Sequence, residues 1–278
     1  MGKGHHRRVT DAALRAHLVG AGIAGVVTTA REKSLRSYRL FAAGDPRQTL
    51  GLEPARPWTQ TALLRLMADR CGVSPDPAHT CGRDVIDPDR TLAGLDAFAI
   101  RLGDAARSRE PVLIGTGHPH RLLGFYAGLA AALSAAGCPV LTPSHGRCID
   151  MATQFGLRTR SLWYVGGVAT VRDAPGEGAR GATAVHTHSP LPVRAALAGA
   201  AGRGGLLPSL VVGDHGWVCG AGQLGIEAIG LADSDDPAVF VAETEGRVSV
   251  VVPLDDAVRS VHYRPLTRYV LNRACLSQ

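Results

Sequence analysis

Three observations predict an α/β fold, a three-layer α/β/α sandwich with a mostly parallel sheet preceded by an N-terminal helical segment. From residue 111 onward, short apolar runs alternate with helix-like segments. Several of those runs end in turns rich in Gly, His or Asp that open directly into a helix. The composition is 45% hydrophobic with 34 glycines and only 5% aromatic residues, which suits close helix-sheet packing better than an all-β or disordered chain. With 278 residues, either one large domain or two small ones can bury a core.

Thr10 and Asp11 are N-cap residues for a helix to about Val19. "REKSLRSYRLFAAGDP" gives a second helix, with Leu35, Tyr38, Leu40 and Phe41 on roughly one side before a Gly-Asp-Pro stop. "PWTQTALLRLMADRCG" gives a third, capped by Thr59 and ended by Gly72. The following "VSPDPAHTCGRDVIDPD" reads as a connector or a lid, and a helix covers 90–108. Residues 1–108 are thus expected to form a basic helical region packing on a core of residues 109–278.

In that core the pattern predicts a strand at 111–115, a helix at 120–136, and strands at 138–142 and near 161–171. A Gly-rich hairpin-like "DAPGEGARGA" follows, then a strand at 183–187, a helix at 190–201 and a strand at 209–213. A helix at 220–231, strands at 238–242 and 247–252, and a helix from Pro265 to Ala274 complete the chain.

Residues 1–50 hold nine cations against three acids and so carry the whole formal +6, leaving the other 228 residues formally neutral. A basic segment of this kind suits nucleic acid, an acidic surface or the entrance to an anionic-substrate site. The first two helices are separated by the long apolar "GAGIAGVVTT" and supply no clear recognition helix, and the segment lacks interleaved aromatics, so nucleic acid is not the expected partner. Six cysteines without a CxxC pair and no apparent secretory leader predict a reduced, cytoplasmic protein. The longest apolar stretch, around 122–136, is too short to span a bilayer. Self-assembly into a homo-oligomer is left open.

Chemistry-bearing residues concentrate at strand ends. Gly115-Thr116-Gly117-His118-Pro119-His120-Arg121 follows one apolar run, where free N–H groups at a helix start favour an anion. Gly115, Thr116, Gly117, His120 and Arg121 are therefore candidate substrate-binding residues, although neither the P-loop ending nor GxGxxG is present. Asp214 and His215 follow another run, and a parallel sheet is expected to bring them to the same crevice as His118 and His120. An Asp-His pair serves either as metal ligands or as an oriented acid/base. His186 and His188 in "AVHTHSP" are two apart, hence on one face of a strand, and supply half of a metal site.

Weaker candidates surround these. His145 and Cys148 read as a polar loop, with Asp150 kept as a candidate, and Cys219 reads as a buried small hydrophobe. Asp233, Asp235 and Asp236 read as solvated turn residues before a hard-cation site, with Glu243 and Glu245 on one face of a strand. Glu227 is placed inside a helix.

"GTGHPHRLLGFYAGLAAALSAAGCPVLTP", "AVHTHSPLPVR", "VVGDHGWVCGAGQLGIEAIGLADSDDPAVF" and "VPLDDAVRSVHYRPLTRYVLNRACLSQ" resemble, over nearly the whole length, an actinobacterial family labelled phosphatase. Neither the DxDx(T/V) nucleophile, the CxxxxxR loop nor the RHG motif of better-known phosphatases is present. A more distant similarity is to D-glutamate cyclase-like proteins, through Thr116-Gly117 and Gly213-Asp214 with the glycines after it, although "GHPHR" stands where that family has an acidic "TDGP".

The resemblance implies phosphomonoester hydrolysis, and joined to the candidate residues above it gives a hydrolase of a small anionic metabolite, a metal-assisted phosphomonoesterase. His186, His188 and Asp214 would hold a divalent metal (Zn, Mn, Mg or Fe), residues 115–121 would receive the phosphate, and His118 or His215 would protonate the leaving oxygen. The alternatives are a cyclase-like lyase acting on a carboxylate, with Asp214 and His215 abstracting a proton, and a non-catalytic metabolite sensor.

Overall fold

Thr10 accepts a hydrogen bond from the Ala13 amide and so starts α1 (Asp11–Gly20), which buries Leu14 and Leu18. This is a computed structural model, and it describes residues 10–153, 156–173, 183–202 and 204–276. β1 (Gly25–Ala30) leads into α2 (Arg31–Ala42) and the short α3 (Pro46–Thr49). α4 (Gln60–Cys71) is capped by Thr59 and stopped by Gly72 at φ 82°, as the sequence predicts. β2 (Arg83–Ile86) pairs antiparallel with β1, and α5 (Pro88–Ser108) follows, capped by Asp87. The β1-β2 ribbon lies in segments read above as connectors, because four to six residues between Gly-rich stretches carry too little alternation to declare a strand.

The core continues with β3 (Val112–Gly115), α6 (Pro119–Ala135), β4 (Cys148–Thr153), β5 (Gly156–Val165), β6 (Val168–Asp173) and β7 (Ala184–Val185). Then come α7 (Leu191–Ala201), β8 (Leu210–Asp214), α8 (His215–Gln223), β9 (Ala228–Ala232), α9 (Pro237–Thr244), β10 (Val250–Pro253), a 3-10 turn (Ser260–Tyr263) and α10 (Arg264–Arg273). The sheet order is β10-β9-β8-β3-β6-β5-β4, with β7 on β6. β10, β9, β8, β3 and β6 are parallel, and β5, β4 and β7 are added antiparallel.

Helices cover both faces of the sheet, which is the expected three-layer sandwich. One core gathers Leu14 and Leu18 of α1, Phe98 of α5, Phe125 and Leu129 of α6, and Leu266 and Tyr269 of α10. The other gathers Tyr38 of α2, Leu63 and Met67 of α4, Val193 of α7, Trp217 of α8 and Phe240 of α9. The elements before residue 109 thus contribute to both layers.

Several elements differ from expectation. Residues 138–142 make only a single bridge, Val112 to Val140. The strand near 161–171 is two antiparallel strands turning at Gly166 and Gly167, both at positive φ, with β4 as a further partner. "DAPGEGARGA" lies largely outside the described residues. The helix expected at 220–231 starts at His215 and ends at Gln223, residues 228–232 are a strand, and the strand expected at 238–242 is the helix α9. "AIGLA" and "AVFVA" are both buried throughout, so periodicity cannot separate strand from helix; Pro237 at the helix start was the usable signal.

Glu227 accordingly sits in the loop before β9, not inside a helix, with Oε1 and Oε2 2.8 and 2.7 Å from Arg101, which also binds Glu110. Glu243 and Glu245 lie at the end of α9, where Glu243 pairs with Arg70 and Glu245 accepts from the Ala55 amide and the Trp58 indole. Among the described residues no helix is long and apolar enough to cross a membrane.

The glycines at the centre of the sheet are there for contact. A Cβ on Gly115 would strike the Trp217 ring, and one on Gly213 would meet the Gly115 carbonyl oxygen at 2.5 Å. Gly115→Ala should therefore cost about 1–3 kcal/mol and Trp217→Ala about 3–5 kcal/mol in urea denaturation. The double variant should lose less than the sum, because removing the indole relieves the clash. Additive losses would mean that the two do not meet.

The Arg101 hydrogen bonds hold the Glu227 carboxyl below its ordinary value. Its contribution to stability is present above about pH 4.5 and lost as pH falls below it. Arg101→Gln should flatten the pH dependence of stability on that acid side; an unchanged profile would remove the pair from the account.

Candidate functional site

Four strands of the parallel sheet end at one edge, and each ends in a polar residue. β3 runs into Thr116-Gly117-His118, β8 into His215 from its last residue Asp214, β9 into Asp233-Ser234-Asp235-Asp236, and β10 through Leu254 into Asp255-Asp256. The antiparallel β7 returns to that edge and delivers His186 and His188. This is where open α/β sheets place their ligands.

The imidazoles of His118, His186, His188 and His215 come together as one cluster, their ligating nitrogens all within 4.8 Å of one another. Ring centroids are 4.2 Å apart for His118–His186, 4.7 Å for His186–His188, 4.4 Å for His118–His215 and 4.1 Å for His188–His215. The histidines His118, His186, His188 and His215, expected at strand ends, therefore meet, whereas His120, expected in the same crevice, does not join them.

Asp214 does not join that cluster as a ligand, and its expected role needs correction. Its Oδ2 accepts from the Thr116 hydroxyl at 2.6 Å and its Oδ1 from the Gly117 amide at 2.6 Å, with His215 Nδ1 3.3 Å from Oδ1. The carboxylate thus fastens the β3 turn to β8 and faces the far nitrogen of His215. His215 itself holds a non-glycine backbone at φ 44°, a conformation that persists only where surrounding contacts enforce it.

The Gly115–Gly117 turn needs the same correction. Its amides are spent inside the protein: Thr116 N–H donates to Ala169 O, Gly117 N–H to Asp214 and His118 N–H to Thr116 Oγ1. A Cβ on Gly117 would run into Thr187 O, so this glycine permits close approach of the His186–His188 segment, whose Thr187 N–H donates to Gly117 O at 3.0 Å. The turn makes a corner and holds two strands' ends; it does not present free amides to an anion. His120 and Arg121 lie exposed on the first turn of α6 and take no part in the cluster. Asp150 accepts from Thr159 on the β4-β5 hairpin, and His145 packs on Trp163, both outside it.

The acidic loop is the largest difference from the sequence reading. Asp233, Asp235 and Asp236 are buried rather than solvated, as are Asp255 and Asp256, which no spacing rule marked. His215 Nε2 is 2.9 Å from Asp236 Oδ2 and 3.3 Å from Asp256 Oδ2, and His118 Nδ1 is 3.4 Å from Asp256 Oδ2. Asp233 and Asp255 adjoin Asp256 and anchor the β1-β2 ribbon: the Thr29 hydroxyl donates to Asp233 at 2.5 Å, and the Thr28 amide and hydroxyl both donate to Asp255. The exposed Lys33 pairs through Nζ with Asp235 at 2.9 Å.

Burial, reinforced by the charge on His215, lowers the titration points of His118, His186 and His188, which leaves these imidazoles neutral near pH 7 with lone pairs to give. For His215 burial works the same way, but Asp236, Asp214 and Asp256 outweigh it and raise its value. Burial pushes the Asp256 carboxyl up to about 7 against the pull of His215, and raises Asp233 as well. Of the basic residues in the first fifty, Arg15, Arg31, Lys33 and Arg47 are each paired with a carboxylate.

An α/β sheet with histidines and aspartates crowded at its carboxyl edge defines the class of a ligand-binding or hydrolytic α/β protein. A family model described as Phosphatase matches residues 9–278, and the chain belongs to that family. It is 43% identical over 267 residues, 95% of this chain and 96% of the other, to a protein named Phosphatase SCO2771 from Streptomyces coelicolor.

Because Asp214 accepts two buried hydrogen bonds that an amide cannot both receive through one oxygen without loss, Asp214→Asn should lower stability by about 2–4 kcal/mol in urea denaturation. A loss below about 0.5 kcal/mol would show that the carboxylate does not fasten the two strand ends.

Proposed function

We propose that this chain is a metal-assisted phosphomonoesterase acting on a small anionic metabolite. The observation that carries the reading is the meeting of three neutral imidazoles, His118, His186 and His188, at the carboxyl edge of the sheet. Three nitrogen donors with a further position open is the donor set of a catalytic divalent site, and nitrogen favours Zn or Fe over Mg. An ion bound there would supply an acidified water at neutral pH and would polarise the phosphoryl group.

The chain's own residues do the rest. Asp214 fixes His215 through Nδ1 and thereby keeps the fourth imidazole against the other three. Gly117, through its amide and its carbonyl, sets the β3 turn and the His186–His188 segment in one register. Lys33 lies close enough to act on the charge of Asp236, His186 and His188, and it supplies the ammonium that faces the substrate phosphate. His120 and Arg121, exposed at the start of α6, meet the outer part of the substrate. Membership of the phosphatase family supports hydrolysis over the cyclase-like and sensor readings, which no feature of the site favours.

The test is hydrolysis of p-nitrophenyl phosphate, with elemental analysis of the same preparations. Chelation should abolish turnover and Zn²⁺ or Mn²⁺ should restore it. Loss of outer partners alone costs about 10–100-fold, so His186→Ala/His188→Ala should lower kcat/KM by more than about 100-fold and reduce the metal content. Full activity in that variant, or in metal-free protein, would overturn the assignment.

A further inference from the structure

The three-histidine cluster leaves His215, Asp236 and Asp256 unused as ligands, and these three form a second group whose ligating atoms lie within 4.8 Å of one another. His215 Nε2 stands 2.9 Å from Asp236 Oδ2 and 3.3 Å from Asp256 Oδ2. His215 Nε2 and Asp236 make a hydrogen bond when Nε2 carries a proton; two ligands at right angles on one ion, each bonded at about 2.1 Å, are also about 3 Å apart, so the same spacing suits neighbours in one coordination shell once that proton is displaced. All three side chains are more than nine-tenths buried, and Asp256 Oδ2 receives no hydrogen bond. A buried carboxylate oxygen without a donor is costly unless a cation meets it. Behind His215, Asp214 faces Nδ1 as carboxylates do behind metal-bound imidazoles.

Charge points the same way. Six buried aspartates surround the site, Asp214, Asp233, Asp235, Asp236, Asp255 and Asp256, and Lys33 is the ammonium beside them. With all six carboxylates ionised, one divalent ion, Lys33 and the charge on His215 leave two negative charges in excess, whereas a second ion in place of the His215 proton brings the balance to within one.

We propose that His215, Asp236 and Asp256 hold a second divalent cation, of mixed nitrogen and oxygen ligation, beside the ion of His118, His186 and His188. This rests on the metal-assisted reading above and extends it to a paired centre. The two ligand sets adjoin, with the His188 and His215 rings 4.1 Å apart and His118 Nδ1 3.4 Å from Asp256 Oδ2.

The experiment is to strip the full chain with chelator, load it with Mn²⁺, remove free ion, and measure Mn per chain together with the electron paramagnetic resonance spectrum. Two equivalents with an exchange-coupled spectrum are expected. Asp236→Asn and Asp256→Asn should each retain one equivalent and show the isolated six-line signal, while circular dichroism checks that they fold. One equivalent in the unaltered chain with an isolated signal would overturn the second site, leaving the imidazolium of His215 to fill that space, and would spare the three-histidine ion. No retained ion at all would remove both. The spectrum of the unaltered chain decides the matter even where a variant does not fold.

Discussion

The site depends on one peptide unit. The Gly117 amide donates to Asp214 and the Gly117 carbonyl accepts from Thr187, so a single residue couples the ends of β3 and β8 to the segment that carries His186 and His188. These bonds lie in the interior, where an unmade one costs its full desolvation. They hold only because residue 117 has no Cβ to strike Thr187 O. With that coupling in place, His118 and His215 follow immediately in sequence from the two anchored residues, and the imidazoles have little freedom to separate.

Much of the fold was legible because its signals are local. Thr10, Thr59 and Gly72 mark helix ends through hydrogen bonds and backbone angles that involve only a few neighbours. Convergence of His118 and His215 was legible for another reason: a parallel sheet opens all its carboxyl ends on one edge, whereas His186 and His188 reach that edge from the antiparallel β7. What stayed hidden was decided by tertiary burial. Residues 228–232 and 237–244 are enclosed on every side, so neither shows the alternation that separates strand from helix.

The aspartates were misread for a related reason. A run such as Asp233 to Asp236 is solvated in most chains, and here the ribbon together with α2 takes it out of water. Asp256 gave no local signal beyond its position directly after an apolar run, the same cue that singled out Asp214. Asp214 shows the opposite error, since its position was right and its partner was not: the nearest donors to its oxygens come from the β3 turn, which a sequence cannot display.

The ribbon that closes the site ties Thr28 to Asp255, positions 227 residues apart. β1 is made 227 residues before its hydrogen-bonding partner. The acidic pocket therefore has no roof until both ends of that span have come together, and its crowded carboxylates face water until then. Closure of so long a loop is an entropically late event. The sheet can assemble before the pocket becomes dry, and the competent site is completed by its longest-range contact.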